Sequence, residues 1–416
     1  MQWNFNALPA VIALTVLVTV FAAIRRQPTK ERVNLWLTGW AFILLDAVVE
    51  FAHSSGVRIA QVEHAIGLCA MLMASVAFVV SVAPQATTWR RQLVISLVLG
   101  LPALAYSNAF LWGVNANQFY YAVVVLGLLA VLRMLWSWYQ EITPYVMCIG
   151  LSLLALAALV WWSIAAGHPD YGILLILASL NFFAGGLYWY RFRRPSAGVL
   201  STVFGFVAWG FTFPALILLA TFAPSVRIES ETWNIPKYLV AVGMIVTLLE
   251  DQIQASEHLA YHDELTGLPN RRLLQDRLLQ ALTRGDRTGC HVAVLLLDLD
   301  DFKEINDTFG HRIGDAVLQA VVARLSSRMR ASDTLARSGG DEFTIVSEIA
   351  TAEGAQSLAS AMESALVLPL SVEGELIRTG VSVGYALYPE DGADPTELCA
   401  AADKAMYAAK RGLRSQ

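Results

Sequence analysis

The stretch His291-Val292-Ala293-Val294-Leu295-Leu296-Leu297-Asp298-Leu299-Asp300-Asp301 decides the reading of the C-terminal part of the chain. From His291 to Leu297 it is a continuous apolar run bounded by Gly289 and Asp298, the pattern of a buried strand. Asp298 and Asp300 then fall at the carboxyl end of that strand, where open α/β sheets place ligands. Further on, Thr334 to Ala336 and Glu342 to Ser347 read as two strands joined by a tight turn containing Gly339 and Gly340, so this segment is expected to be a hairpin. Two glycines allow positive φ and a close approach of the backbone to a phosphate. A Gly-Gly pair alone fits a plain turn equally well, but here Asp341 and Glu342 follow it at once.

Outward from this segment the composition changes. The chain of 416 residues is 56% hydrophobic and only 15% charged, too apolar for an ordinary soluble protein, so part of it is expected to lie in lipid. Residues 1 to 250 are repeated apolar runs, whereas residues 250 to 416 have the charge content of a globular domain. A net charge of -5 and the lack of a basic stripe with interleaved aromatics exclude nucleic acid as a partner. Cys69, Cys148, Cys290 and Cys399 have neither metal-ligand nor redox spacing and are expected to be small buried hydrophobes.

Crossing the hydrocarbon core takes about 20 mostly apolar residues. Nine candidate spans follow, at residues 7–24, 33–52, 64–82, 92–112, 118–137, 145–166, 171–190, 198–223 and 234–250. The first is expected to be a retained span and not a signal peptide, because Met1 to Asn6 carries no Lys or Arg and the positive charge follows the apolar run. Arg25, Arg26, Lys30 and Arg32 follow the first span, Arg90 and Arg91 the third, and Arg191, Arg193 and Arg194 the seventh, while Arg133 is near the end of the fifth. The alternate loops, around Ser54, Asn115, Pro169 and Ser225, hold only Arg58 and Arg227. Basic loops stay cytoplasmic. The amino terminus is therefore expected outside a multi-pass inner (plasma) membrane protein, and an odd number of spans brings Asp251 into the cytoplasm.

Inside the spans, Asp46 and Glu50 are four apart on one helical face, and His53 and His64 lie near the outer ends of spans two and three. A ligand- or proton-sensing pocket, helix–helix hydrogen bonding and a position near the interface are all open to them. Pro214 is expected to kink span eight. Beyond the last span, Leu249, Ile253, Ser256 and Ala260 recur at helical spacing, so Leu248 to Tyr261 is expected to continue as a helix, with 251–262 as a linker. Its narrow seam suits a parallel partner helix or packing on the C-terminal domain.

Asp263-Glu264-Leu265-Thr266-Gly267-Leu268-Pro269-Asn270-Arg271 resembles the opening motif of the GGDEF family of diguanylate cyclases, and the resemblance covers essentially the rest of the chain, 263–416. Asp298 to Asp307 and Gly310 to Asp315 match the family's metal and nucleotide segment. The apolar runs imply an α-helical polytopic membrane domain (1–250), and the resemblance implies an α/β cyclase domain after it, a ferredoxin-like or palm-type antiparallel-rich sheet with helices. It implies that Asp298, the Leu299 carbonyl and Asp341 hold Mg2+, two ions per active site, with Mn2+ as an alternative. The Asp301 and Phe302 amides, Gly339 and Gly340 would contact phosphate, with Lys303 stabilising triphosphate charge. Asn306 and Asp315 would read guanine, with His311 shaping the pocket. An Asp at 315 favours guanine over adenine because guanine N1–H and N2–H2 are both donors. Asp341 would activate the attacking hydroxyl with help from Glu342.

Arg330-Ala331-Ser332-Asp333 matches the family's inhibitory Arg-x-x-Asp site, at which cyclic di-GMP would feed back; a solvated charge pair is the plain alternative. The last helix, Glu397 to Arg411, resembles the family's closing helix, so Lys410 would contact phosphate. Gly412 comes one position earlier than in the family pattern, while Arg414 keeps the basic spacing for a phosphate contact. No phosphodiesterase domain is expected after residue 416. The implied reaction joins two GTP, one per domain of a homodimer, into cyclic di-GMP and pyrophosphate. Two other classes are weighed against it. One is a pseudoenzyme that binds cyclic di-GMP through Arg330 and Asp333, which intact Asp298, Lys303, Asp341 and Glu342 oppose. The other is a transporter regulated by the domain, which the sparse intramembrane polar groups oppose.

Overall fold

The computed structural model describes residues 3–24, 30–52, 57–83, 88–114, 116–138, 143–223, 225–226, 230–349 and 351–413. The chain divides into two compact units, Met1–Asp251 and Gln252–Gln416. Arg25, Arg26, His53, Ser54, Asn115, Arg227 and Arg414 lie outside the described residues.

Among the described residues the N-terminal unit carries nine α-helices after a 3-10 turn at Phe5–Ala7. They are α1 (Leu8–Ile24), α2 (Lys30–Phe51), α3 (Val57–Val82), α4 (Trp89–Leu111), α5 (Asn117–Trp138), α6 (Thr143–Ala165), α7 (Pro169–Phe192), α8 (Ala197–Phe222) and α9 (Ser230–Tyr261). Seven of them are long and apolar enough to cross a membrane, and α5 and α6 contribute the shorter apolar helices Asn117–Arg133 and Leu151–Ala165. The ninth apolar run does not stop at Glu250: α9 is a single helix of 32 residues to Tyr261. α8 runs unbroken through Pro214, and α4 and α9 run through Pro102 and Pro236.

This bundle packs through aromatics and small residues. Phe78 meets Trp40 at 5.2 Å between ring centroids and Phe206 at 5.7 Å, while Phe21 stacks on Trp40 at 6.4 Å. Glycines let α8 and α9 touch backbone to backbone: a Cβ at Gly198 would lie 2.4 Å from the Thr247 amide nitrogen, and one at Gly243 would lie 2.5 Å from that of Thr202. Tyr188 donates from its hydroxyl to Thr247 Oγ1 at 3.0 Å. Where the N-terminal unit ends within α9, Arg194 pairs with Asp251, and the Gly198 amide donates to Glu250 Oε1 at 3.2 Å.

The C-terminal unit contains α10 (Arg271–Thr288), β1 (His291–Leu299), α11 (Phe302–Phe309), α12 (His311–Ser326), β2 (Thr334–Arg337), β3 (Glu342–Ile349), α13 (Ala352–Ala365), β4 (Leu370–Val372), β5 (Glu375–Ile377), β6 (Val381–Tyr388) and α14 (Pro395–Leu413). The main sheet has the order β2-β3-β1-β6 with every neighbouring pair antiparallel, and β4 and β5 form a separate two-stranded hairpin. This is the antiparallel-rich α/β architecture that the family resemblance implies.

Side chains alternate across a strand, and both faces of β1 are covered. Ala293, Leu295, Leu297 and Leu299 join the core built with Val317 and Val321 of α12 and Ala355 and Met362 of α13. Val292 and Val294 join the other core, with Leu278 of α10 and Leu398 and Ala402 of α14. By the same alternation Asp298 falls on the α10 and α14 face. The cysteines depart from expectation. Cys290, in the short connection between α10 and β1, is exposed, and Cys69 and Cys399 are half-buried free thiols. Burial pushes the Cys399 thiol up. The Cys148 side chain lies outside the described residues.

Candidate active site

The site grows from the carboxyl end of β1. Asp298 sits directly opposite Glu342 in the β1–β3 register. Two like charges facing each other across a ladder are unfavourable unless a cation joins them. In this structure the Lys410 ammonium forms an ion pair with Asp298. Lys410 reaches it because α14 lies directly on β6: a Cβ at Gly384 would be 2.0 Å from the Met406 amide nitrogen. The Leu299 amide donates to the Asp341 carbonyl at 3.2 Å, which joins the strand end to the acidic turn. Asp300 is already engaged, because its Oδ1 accepts from Ser382 Oγ at 2.7 Å and its amide donates to the Gly380 carbonyl at 3.0 Å.

Immediately after β1 the chain turns sharply. Asp301 has φ 55° and ψ 25°, a left-handed conformation unusual for a residue with a side chain, and it caps α11. Phe302 is buried and anchors the start of α11, so its ring is held in the core while its amide belongs to the open first turn of the helix. Lys303 is exposed on that turn. Gly310, with φ 81°, separates α11 from α12. Asn306 packs against α12 where a Cβ at Gly314 would lie 2.0 Å from its Oδ1, beside the exposed Asp315. His311 opens α12 and is exposed.

The acidic turn is built differently from expectation. Gly339 and Gly340 do not have positive φ. Gly339 instead makes room: a Cβ there would be 2.6 Å from Glu342 Oε2, whereas one at Gly340 would meet only open space. The Ser338 and Gly339 amides donate to the Glu342 carbonyl at 3.0 and 3.4 Å, closing the loop between β2 and β3. Arg337 fixes its outer side, with Nε and Nη2 donating to the Gly340 carbonyl at 3.1 and 2.6 Å and Nη1 donating to Asp263 Oδ1 at 2.9 Å. Asp263 Oδ1 also accepts from the Thr266 amide at 2.9 Å and from its hydroxyl at 2.6 Å. Burial works to raise the Asp263 carboxyl, but the Thr266 hydrogen bonds and the Arg337 guanidinium outweigh it and hold it below the usual carboxylate range. Arg337, Asp263 and Thr266 are positioning residues to which sequence reasoning gave no role. An Arg just before the turn and a capping Asp three residues before a Thr were the available signals. The side chains of Asp341, Glu342 and Lys303 form no hydrogen bond or ion pair among the described residues.

Arg330 and Asp333 stand apart from this group. Asp333 Oδ2 accepts from the Arg330 amide at 2.8 Å, and its Oδ1 accepts from Ser347 Oγ at 2.7 Å, so the carboxylate closes the turn ahead of β2 and does not pair with the exposed Arg330 guanidinium. Ser347 lies five positions along β3 from Glu342, which is about 16 Å at the rise of a strand.

The donor set suits a hard divalent cation. Among the described residues no three His, Cys, Asp or Glu side chains converge on one point. Two carboxylates and a backbone carbonyl are what Mg2+ uses when it retains water and shares substrate phosphates. The ammonium held against Asp298 is a cation already standing at this carboxylate.

The family described as Diguanylate cyclase, GGDEF domain, matches residues 260–416, and this part of the chain belongs to it. The chain is 40% identical over 187 residues to the bifunctional diguanylate cyclase/cyclic di-GMP phosphodiesterase MucR of Pseudomonas aeruginosa, covering 41% of this chain and 27% of MucR. It is 40% identical over 168 residues to diguanylate cyclase TpbB of the same organism, covering 40% of this chain and 39% of TpbB. The crystal structure of the TpbB GGDEF domain matches with 40% identity over 35% of this chain and 92% of that domain, at a TM-score of 0.35. The chain thus spans 27% to 39% of the length of these curated relatives.

Proposed function

We propose that the protein is a membrane-anchored diguanylate cyclase that condenses two GTP into cyclic di-GMP and two pyrophosphate. The observation that carries this reading is the facing pair Asp298 and Glu342, joined to the Asp341 turn and with Lys410 paired to Asp298, within a GGDEF domain. Asp298, Asp341 and the Leu299 carbonyl would hold Mg2+, or Mn2+ in its place, which supplies charge neutralisation at the phosphates. The amides of Asp301 and Phe302 would take up phosphate oxygens at the start of α11, and Lys303 and Lys410 would offset the remaining charge. Asn306 and Asp315 would accept and donate at the guanine edge, with His311 closing its side. Asp341, assisted by Glu342, would accept the proton of the 3′-hydroxyl as that oxygen attacks the α-phosphate of the second GTP. Gly339 and Gly340 would let that nucleotide lie against the turn, and Arg414 would add a basic contact.

One domain holds half of the reaction, so a homodimer is part of the proposal, with residues 251–262 of α9 as the paired linker. The helical unit would lie in the inner (plasma) membrane in contact with lipid, amino terminus outside and the 263–416 domain in the cytoplasm. The basic loops and the seven long apolar helices support this. Cyclic di-GMP bound at Arg330 and Asp333 would inhibit.

Incubating the full-length protein with GTP and Mg2+ tests the reading. The expected product is cyclic di-GMP, with specific activity rising with protein concentration as dimers form. Absence of that product contradicts the cyclase, and synthesis by a stable monomer contradicts the dimeric mechanism.

A further inference from the structure

We propose that Asp300, Thr379 and Ser382 are positioning residues that aim the phosphate-binding turn after β1 at the triphosphate of GTP. None of the three touches the nucleotide in the cyclase reading, on which this inference rests.

The turn needs an anchor. Asp301 is left-handed, with φ 55° and ψ 25°, a conformation that is unfavourable for a residue with a Cβ and persists only where its surroundings fix it. Phe302 follows as the first residue of α11. A left-handed residue followed by a right-handed one turns successive N–H groups toward one point, a nest that suits an anion. By that geometry the amides of Asp301, Phe302 and Lys303 share one concavity. The Asp301 amide forms no hydrogen bond among the described residues, so it is open to a phosphate oxygen.

The anchor is the residue before it. The Asp300 amide donates to the Gly380 carbonyl at 3.0 Å, its carbonyl accepts from the Thr379 hydroxyl at 3.1 Å, and its Oδ1 accepts from Ser382 Oγ at 2.7 Å. The Thr379 hydroxyl also lies 3.2 Å from the Gly380 carbonyl, so it bridges the two carbonyls. Oδ2 fills the space that Gly380 leaves, where a Cβ would come within 2.4 Å of it. Ser382 and Thr379 are both buried, and a buried hydroxyl that loses its acceptor is costly, which holds these contacts in place. The Asp300–Asp301 peptide is trans, so its C=O and N–H point in opposite directions. A carbonyl fixed toward Thr379 therefore fixes the Asp301 N–H away from it. The segment from Thr379 to Ser382 thereby sets the aim of the first amide of the nest without reaching the nucleotide.

The test compares the full-length protein with Thr379→Val, which removes the hydroxyl and keeps the branching, with Thr379→Ser, which keeps the hydroxyl, and with Ser382→Ala. The probe is a GTP analogue with a methylene group between its α- and β-phosphorus atoms, which binds without reacting, titrated in the presence of Mg2+. Guanosine, which has no phosphate, serves as the control competitor. Thr379→Val and Ser382→Ala are expected to weaken the analogue about tenfold and to leave guanosine unchanged, with Thr379→Ser binding as the parent does. In turnover the same loss is expected in KM for GTP and not in kcat. Unchanged affinity for the analogue in Thr379→Val and Ser382→Ala overturns the proposal, as does an equal loss for guanosine, the mark of a merely structural role. A parent protein that does not bind the analogue overturns both the proposal and the cyclase reading. Analogue binding weakened by the substitutions in a protein that makes no cyclic di-GMP removes the cyclase reading and leaves the anchor. Cyclic di-GMP synthesis with unchanged analogue affinity in the variants does the reverse.

Discussion

The two units gather polar groups by different means. In the C-terminal unit one strand, β1, delivers Asp298 to the α14 face by simple alternation, and its register sets Glu342 opposite. In the helical unit the polar meetings join residues far apart in sequence, such as Tyr188 with Thr247 and Asn181 with Ser75. A strand end concentrates charge within a few residues, so its chemistry is spelled locally. A helix bundle assembles a site from turns of several helices, and no local pattern announces it.

This contrast can be broken or sharpened by substitution. The largest structural effect is expected for Gly384→Val, which drives a side chain into the backbone of α14 and shifts Lys410 away from Asp298. A loss of about 3 kcal/mol in the C-terminal unit, read from its thermal midpoint, is expected. Arg337→Ala removes the hydrogen bonds that hold the turn to Asp263 and Gly340. It is expected to cost about 2 kcal/mol and about tenfold in the rate of cyclic di-GMP formation. Acid is a milder form of the same change. The Asp263 carboxyl is held below its ordinary value, so its contribution is full above about pH 4. That contribution is lost as the pH falls through the lowered value, and an Asp263→Asn variant should show a flatter loss of stability in that range. The smallest effect is expected in the helical unit, where Tyr188→Phe removes one buried hydrogen bond. There, about 0.6 kcal/mol is expected from thermal unfolding in micelles.

Much of the fold was legible in the sequence. Long apolar runs announce helices through their length alone, and each of the nine runs lies on one of α1 to α9. The run from His291 to Leu297 became β1, extended to Leu299 because the ladder continues opposite Glu342 and Val381. What sequence reasoning missed concerns space and partners. Gly384 and Gly314 are needed because a helix backbone and the Asn306 amide come too close for a Cβ, a fact known only from tertiary packing. Gly339 and Gly340 were read as supplying positive φ, whereas Gly339 gives room to Glu342. Asp333 has a resemblance-based role in product binding, and its oxygens also accept from Ser347 of β3 and from the Arg330 amide within the turn ahead of β2, partners that no local pattern announces. The β4–β5 hairpin has strands of three residues, too short to leave a periodic signal.

The central claim is that the acidic turn performs phosphoryl chemistry on GTP and does not merely close a hairpin. Asp341 is half-buried with no side-chain hydrogen bond among the described residues, so Asp341→Ala should leave the fold intact. The decisive measurement is cyclic di-GMP formation from GTP and Mg2+ by the two full-length proteins, matched for thermal midpoint. The account predicts a fall of at least about a hundredfold in the variant. An unchanged rate would contradict it.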